Sequence, residues 1–245
     1  MYKRQTLFSE EPTIATYGAG AAKQLKADKD QAIHLTDLGR SYSDAGQYTR
    51  AIEYYEQAIT LSENNEDIPH RANQLGNLAL AYMRNRQYEQ ALVYRKQALG
   101  LQRKVGFKKG VGQNLGGLAT IYYYMDKIEE AIDLFQQAIS ICREVDDKRW
   151  ELSNLSNLGE CYVKKKRFSD ARACNERALQ LSRELGDVRG EAIVLTNLGD
   201  LQIKLGEKKD AMRNLEKAHT IFLEINSPHA KTAESLLKQA QIDTL

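Results

Sequence analysis

The sequence lacks the features of a membrane-spanning or secreted chain and carries no large charge of one sign. No apolar run approaches the roughly 18 residues that a transmembrane helix needs, and nothing near the start resembles a signal peptide. The 35 basic and 33 acidic side chains give a formal net charge of only +2. Such a balance produces no general attraction to nucleic acid or to an anionic membrane. We therefore expect a cytoplasmic protein with no nucleic-acid and no membrane partner.

Cysteine is scarce, and catalytic motifs are absent. Cys142, Cys161 and Cys174 are odd in number and lack the spacing of metal ligands, which favours reduced thiols in helices. The four histidines lie far apart, and there is no HExxH, CxxC or nucleophile elbow. Basic clusters near residues 103–109 and 164–167 lack an aromatic platform and are interpreted as solvated turns. The sequence therefore predicts no catalytic residue, no metal site and no cofactor, so we expect a protein that is not an enzyme.

What the sequence does contain is a pattern that returns every 40 residues. Two leucine columns, a column of small residues and a tyrosine column recur at spacings of three, one and three. Two alanine columns follow in all five copies. The columns are Leu35, Leu75, Leu115, Leu155 and Leu195; Leu38, Leu78, Leu118, Leu158 and Leu198; Gly39, Ala79, Ala119, Gly159 and Gly199; Tyr42, Tyr82, Tyr122 and Tyr162; Ala51, Ala91, Ala131, Ala171 and Ala211; and Ala58, Ala98, Ala138, Ala178 and Ala218.

This pattern predicts a helical hairpin in each copy. The leucines, small residues and tyrosines share one face of a first helix, and the alanines mark a second helix that approaches it closely. Since neither helix buries its apolar face alone, the copies must stack around a continuous core. The column order resembles the tetratricopeptide repeat family in a 40-residue form, similar to that of kinesin light chains and bacterial signalling proteins. The resemblance implies an all-α fold, a right-handed α-solenoid of stacked antiparallel helical hairpins.

The repeat sets the expected organisation of the chain. Five units are predicted at 28–66, 67–106, 107–146, 147–186 and 187–226. Residues 227–245 are expected to form a C-terminal capping helix and tail, with a continuing array as the alternative. Residues 1–27 do not follow the repeat and are left unassigned, as a linker or the remnant of a preceding domain. Residues 1–5 back-translate to a sequence that resembles the transposon end used in sequencing-library preparation, so we expect them to be an artefact at the start of a fragment.

Turn and capping signals punctuate the array. Three-residue turns are predicted at 45–47, 85–87, 125–127, 165–167 and 205–207. Gly106, Gly186 and Asn226 suit a left-handed helix end. Helix caps are expected at Asp67, Asp147, Asp187 and Ser227, with Pro69 and Pro228 in the first turn that follows. Phe107 breaks the capping column.

The first helix of the third unit carries four glycines, at Gly110, Gly112, Gly116 and Gly117. Glycine weakens a helix interior by about 1 kcal/mol relative to alanine. Two readings stay open: the helix is a soft hinge, or the glycines permit close packing. If it is a hinge, changing Gly112 and Gly116 together to alanine is expected to raise stability.

In the family that this chain resembles, first helices line a concave groove that binds protein partners. The resemblance implies a groove with cations toward the N-terminal end, aromatic and apolar residues between, and carboxylates toward the C-terminal end. The candidate partner-binding residues are Arg40, Leu80, Met83, Arg84, Thr120, Tyr123, Tyr124, Glu160, Lys164, Asp200 and Lys204.

Two further repeat positions, the fifth and the sixth, are relevant to partner binding in the groove. The chaperone-binding relatives carry lysine or arginine at the fifth repeat position to clamp a terminal carboxylate, and this chain has none there. Its fifth positions are Thr36, Gly76, Gly116, Ser156 and Thr196. Asn77, Asn157 and Asn197 occupy the sixth position, where we expect them to bond nearby backbone.

These observations predict a non-enzymatic interaction scaffold or adaptor that binds a peptide or helix of a protein partner in its groove. The alternative is a regulatory or sensor segment of a larger signalling enzyme or transcription regulator whose effector domain is missing. The sequence leaves the partner and the oligomeric state open.

Overall fold

The computed structural model describes residues 14–62 and 67–242, and within these ranges it contains helices and no strand. The predicted artefact at 1–5, and residues 6–13 after it, lie outside the described part. The helices within the described part are α1 (Ile14–Asp44), α2 (Tyr48–Ser62), α3 (Ile68–Arg84), α4 (Tyr88–Lys104), α5 (Lys108–Tyr124), α6 (Ile128–Glu144), α7 (Lys148–Lys164), α8 (Phe168–Glu184), α9 (Val188–Lys204), α10 (Lys208–Glu224) and α11 (Ala230–Ile242).

Consecutive helices pair as hairpins, α1 with α2 through α9 with α10, and each hairpin packs on the next. The molecule is thus a right-handed α-solenoid of stacked antiparallel hairpins, and the predicted fold class is confirmed. All five predicted three-residue turns separate the paired helices. In the first of them, the backbone N–H of Gln47 donates to the carbonyl of Tyr42 at 2.8 Å and closes the turn. So short a turn forces the second helix back along the first.

Three predicted helix caps are present. Asp67 Oδ1 accepts a hydrogen bond from the backbone N–H of His70 at 3.1 Å, and Asp187 Oδ1 accepts one from Gly190 at 2.9 Å. Asp147 caps α7 in the same way, through Oδ1. Each cap satisfies an N–H that the first helical turn leaves without an intrahelical partner.

The cap of the last helix differs from the expectation. Ser227 Oγ accepts from the N–H of His229 at 3.4 Å, and α11 begins only at Ala230. Ser227 and Pro228 therefore lie in the turn before the helix and not in its first turn. The other cap predictions hold: Pro69 lies in the first turn of α3, and Phe107 makes no side-chain cap bond.

The alanine columns form the spine of the core. All ten alanines are fully buried, which lets the two helices of each hairpin approach closely. The leucine columns are buried in units two to five, but Leu38 is 44% exposed. Leu78, its equivalent, packs against Ala51 and Tyr55 of the preceding hairpin. Leu38 has no preceding hairpin in the described part, which explains its exposure.

The two ends of the described array depart from the repeat. Helix α1 runs through residue 28, where the first unit was predicted to begin, and extends back to Ile14. At the other end α11 packs on α9 and α10, where Ala230 and Ala233 cover Phe222 and Ala192. Helix α11 therefore occupies the place that a further first helix would take. No helix of the described ranges is long and apolar enough to cross a membrane.

The four glycines of α5 are closely covered by side chains of neighbouring helices. A Cβ built on Gly117 would lie 2.7 Å from Arg95 Cζ, and one built on Gly110 would lie 2.6 Å from Gln102 Cδ. A Cβ on Gly116 would overlap the amide of Asn154, which is 1% exposed. Close packing therefore exists at these positions, and the expectation that alanine at Gly116 raises stability conflicts with this overlap. The hinge stays a prediction.

Candidate partner-binding groove

The first helices of the hairpins lie on the inner side of the solenoid. Within the described part, α5 contacts α7 and α7 contacts α9, whereas no second helix contacts the next second helix. In a curved stack of hairpins, the helices on the concave side lie closer together than those on the convex side. The contacts between successive first helices therefore place α1, α3, α5, α7 and α9 on the concave face. This is the face on which the candidate binding residues were predicted.

Four of the predicted residues, Tyr123, Glu160, Lys164 and Asp200, meet in one cavity of about 330 Å³. They come from α5, α7 and α9, one helix from each of three successive hairpins. We call this cavity the Asn175 pocket, and its other lining residues are Val163, Asn175, Thr196, Asn197, Thr232 and Leu236. The last two belong to α11, so the C-terminal helix closes one side of the pocket.

The charged side chains of the pocket are arranged in pairs. Lys164 Nζ lies 4.2 Å above the centre of the Tyr123 ring and 3.3 Å from Asp126 Oδ1. Lys204, another predicted residue, forms an ion pair with Asp200 one helical turn away. Both lysines are thus engaged with partners of the protein itself, whereas Glu160 forms no ion pair with a described residue.

Of the two carboxylates that line the pocket, Glu160 is the one that forms no ion pair with a described residue. Burial raises its pKa, nearby Asp200 raises it further, and the hydrogen bonds that it accepts from Tyr123 and Asn197 lower it. Burial also raises the pKa of Tyr123, with the Glu160 carboxylate as the next cause. Tyr123 therefore stays a neutral phenol next to Glu160, and both side chains line the pocket.

Sequence reasoning missed Asn175 of α8. Its side chain is 1% exposed, yet neither its amide nitrogen nor its amide oxygen has a hydrogen-bond partner in the described residues. In the same repeat column stand Tyr55, Phe135 and Leu215, which are large and buried. The shorter Asn175 leaves this space unfilled under the groove floor and lines the pocket there. The sequence feature that could have identified Asn175 is a polar residue in a repeat column that is apolar in three of the five units.

An unpartnered buried amide is costly, at about 1–3 kcal/mol for each lost hydrogen bond. Asn175 lines the pocket with a donor and an acceptor that no described residue uses, and Glu160 adds an acceptor to the same lining. Backbone peptide groups of a ligand offer the complementary donor and acceptor. The pocket is thus suited to an amide-containing ligand that covers its apolar wall of Val163 and Leu236.

The other predicted residues do not reach the pocket. Tyr124 is 55% exposed and stacks on Tyr88, with ring centres 6.1 Å apart. Thr120 donates its hydroxyl proton to the carbonyl of Gly116 at 2.9 Å within α5. Leu80 and Met83 are half-buried on α3.

Two predicted arginines lie at the N-terminal end of the groove. Arg84 Nη1 donates to Ser43 Oγ at 3.4 Å, and Arg40 lies 3.6 Å from Asp37 on its own helix. The expectation that Asn197 bonds nearby backbone is not met, because its Nδ2 donates to Ser156 Oγ at 3.1 Å. This bond ties α9 to α7 across the groove floor.

The described residues contain no group of three or more His, Cys, Asp or Glu that could hold a metal ion. The three cysteines lie in α6, α7 and α8 as free thiols, as predicted. Burial raises the pKa of Cys142 to about 11 and that of Cys161 to about 12, so both remain protonated at neutral pH.

The architecture is that of a helical-repeat protein with a lined concave groove. A family model described as tetratricopeptide repeat matches residues 71–144 and 150–224, which is more than half of the chain. A second model of the same description matches residues 35–65. The chain belongs to the tetratricopeptide repeat family. A search of curated proteins finds no match.

Three solved structures have a fold similar to that of this chain. BtubC (BKLC) from P. vanneervenii is 20% identical, with a TM-score of 0.69 over 89% of this chain and 94% of that chain. Aspartyl phosphate phosphatase F from Bacillus subtilis is 18% identical, with a TM-score of 0.78 over 90% of this chain and 58% of that one. A STAND signal transduction ATPase with a tetratricopeptide repeat sensor, from Pyrococcus horikoshii, is 21% identical, with a TM-score of 0.75 over 89% of this chain and 34% of that one. At these identities the likeness shows the fold.

Proposed function

We propose that this chain is a non-enzymatic interaction module that binds an extended or helical peptide segment of a protein partner in its concave groove. The observation that carries the proposal is the Asn175 pocket, which is lined by residues of three hairpins and by an amide that has no partner among the described residues. Repeat arrays of this kind are interaction scaffolds, and the pocket contains the aromatic, amide and carboxylate groups that anchor peptides.

The role is that of a scaffold or adaptor, and the partner is recognised by hydrogen bonds to Asn175 and Glu160. Tyr123, Val163 and Leu236 of α11 supply the apolar part of the lining, so a side chain of the partner is held against these surfaces. Water is displaced from the pocket on binding, which strengthens the hydrogen bonds formed there.

The test is a selection of a random peptide display library on the immobilised full-length chain, followed by affinity measurements with synthetic versions of the enriched peptides. Asn175→Leu is expected to weaken binding by about tenfold or more, which corresponds to about 1.4 kcal/mol. Leucine is tolerated in this column, since Leu215 is the fully buried equivalent in α10. The variant should therefore fold at least as stably as the parent.

Gln137→Leu is the matched control, because it makes a similar change at an exposed position of the outer helix α6. It is expected to leave the affinity unchanged. If no peptide is enriched, or if the enriched peptides bind both variants equally, the proposal is wrong.

A second candidate is a sensor segment within a larger signalling protein. It is favoured by the STAND protein, in which a tetratricopeptide repeat sensor is part of a chain of which this one spans 34%. Recovery of the complete open reading frame is the decisive observation, and an effector domain encoded in the same frame would support this second candidate.

A further inference from the structure

Arg95 of α4 occupies a position that is apolar in three of the five units. Its repeat column contains Tyr55, Phe135 and Leu215, and the remaining member is Asn175 of the pocket described above. Arg95 is longer than these residues, and its guanidinium lies between the inner helices α3 and α5. A Cβ on Gly117 would be 2.7 Å from Arg95 Nε, and one on Gly76 would be 3.2 Å from Nη1. The two glycines therefore make the slot that holds this side chain.

The guanidinium has almost no partners in that slot. Nη1 donates to Asn114 Oδ1 at 3.3 Å, whereas Nε is buried and has no hydrogen-bond acceptor among the described residues. No carboxylate of the described residues forms an ion pair with Arg95. Burial lowers the pKa of Arg95 to about 10, so the side chain still carries its charge at neutral pH. Arg95 is half-buried, and a cation that is partly removed from water without a counter-charge attracts an anion to its accessible side.

The surrounding unit is also the most basic in the array. Residues 67–106 contain seven lysines and arginines against two carboxylates. None of the seven forms an ion pair with a described residue, whereas seven of the nine in residues 147–186 do. The seven are Arg71, Arg84, Arg86, Arg95, Lys96, Arg103 and Lys104. Among the described residues, no ion pair therefore balances the charge of this unit.

We propose that the slot around Arg95 binds a side-chain carboxylate from an acidic segment of the peptide partner. The inference rests on the proposed function and adds the chemistry of the ligand. An arginine fork pairs with a carboxylate through two parallel hydrogen bonds, and here Nη2 is left without an acceptor among the described residues. The bound carboxylate supplies the counter-charge that the fold does not.

The occupant is an acidic peptide and not a nucleic acid. A nucleic-acid strand needs a continuous track of cations and aromatic faces for its bases. The concave face of this unit instead presents Asn73, Leu80 and Met83 beside the arginines. Of the other cations, Arg71 and Arg84 lie at the two ends of α3, Arg86 lies in a turn, and Lys96, Arg103 and Lys104 lie on the outer helix α4. Amide and apolar side chains on α3, together with one half-buried cation between α3 and α5, fit a peptide with an acidic residue.

The experiment compares two selections from the same random peptide display library, one on the wild-type full-length chain and one on Arg95→Met. Peptides enriched on the wild type should contain Asp or Glu at a fixed position, and those enriched on Arg95→Met should not. For a single synthetic peptide, the change of that acid to its amide should weaken wild-type binding by about tenfold or more. On Arg95→Met the same change should have no effect.

Lys96→Met is the matched control, since it removes the same charge from the same unit at an exposed position of the outer helix. It should keep the acid preference. Arg95→Met should also unfold at a higher temperature than the wild type, because it removes a half-buried charge that has no ion-pair partner among the described residues. Arg95→Lys provides a second variant that keeps the charge but not the fork, and it should reduce the acid preference.

The negative outcomes distinguish a failure of this inference from a failure of the proposed function. Enriched peptides that depend on Asn175 but show no acid preference would overturn this inference and leave the proposed function standing. An acid preference that persists on Arg95→Met would overturn it as well, as would competition by oligo(dT) at the affinity of the acidic peptides. No enriched peptide on any variant would overturn both proposals.

Discussion

At the scale of single residues, a left-handed backbone conformation recurs every 20 residues. Every link that the structure describes, within or between hairpins, has one residue with positive φ at its centre. Four of these residues are glycines and five are not. The nine are Gly46, Arg86, Gly106, Asp126, Asp146, Lys166, Gly186, Gly206 and Asn226.

The sequence predicted only part of this set. Gly106, Gly186 and Asn226 were recognised because glycine and asparagine tolerate positive φ. Arg86 and Lys166 were not, because their side chains carry no local signal for that conformation. Their backbone is fixed from outside, by the two helices that each turn must connect.

We predict that Lys166→Gly stabilises the protein. Lys166 has φ of 58°, a conformation that costs an L-residue about 1–2 kcal/mol. Glycine removes that cost but adds freedom to the unfolded chain, so a net gain of about 0.5–1 kcal/mol in the free energy of unfolding is expected. Urea unfolding measures it. Gly206→Lys, the reverse change in the same column, should lower the midpoint, and a lower midpoint for Lys166→Gly would contradict the argument.

At the scale of the element, α5 shows where sequence reasoning stops. Its four glycines were visible, but whether a glycine leaves a gap or admits a neighbour depends on other helices. Arg95 of α4 fills the space at Gly117, and Asn154 of α7 fills the space at Gly116. Neither contact follows from the sequence of α5. The sequence alone therefore does not decide whether the glycines make a soft hinge or permit close packing.

We predict opposite effects for two glycine-to-alanine changes in helix interiors. Gly100 of α4 is exposed, and a Cβ there has nothing within 4 Å, so Gly100→Ala should raise the free energy of unfolding by about 0.5–1 kcal/mol. Gly116→Ala gains the same propensity but overlaps the buried amide of Asn154, and overpacking costs about 1–3 kcal/mol. Chemical denaturation of each variant and of the wild type separates the gain in helix propensity from the cost of overpacking. Equal stabilisation by both would favour a loose α5.

At the scale of the whole molecule, the repeat predicted a continuous core, and the structure divides it. One buried cluster joins the first two hairpins through Tyr55 and Leu78. Another joins α4, α5 and α6 through Leu99, Leu115 and Ala138, and the largest extends from α5 to α9. Arg95 stands between the first two clusters. The 40-residue period hides this break, because it describes what the units share and not where one departs from them.

The break predicts unequal stability along the array. In a solenoid each unit is stabilised by its neighbours alone, so a charged residue in the shared core weakens the coupling between the units it joins. We expect amide hydrogens of α3 and α4 to exchange through openings of lower free energy than those of α6, α7 and α8. Native-state hydrogen exchange followed by mass spectrometry measures the difference.

Hydrogen exchange also tests whether Arg95 causes the break in the core and whether α5 is a hinge. Arg95→Met joins the two clusters with an apolar side chain, so it should raise protection in α3 and α4, whereas Lys96→Met should not. If α5 is the hinge, residues 110–120 should exchange faster than residues 191–200 of α9, the equivalent helix with fewer glycines. Equal protection of these two segments would refute the hinge, and uniform protection from α3 to α8 would show that Arg95 does not divide the array.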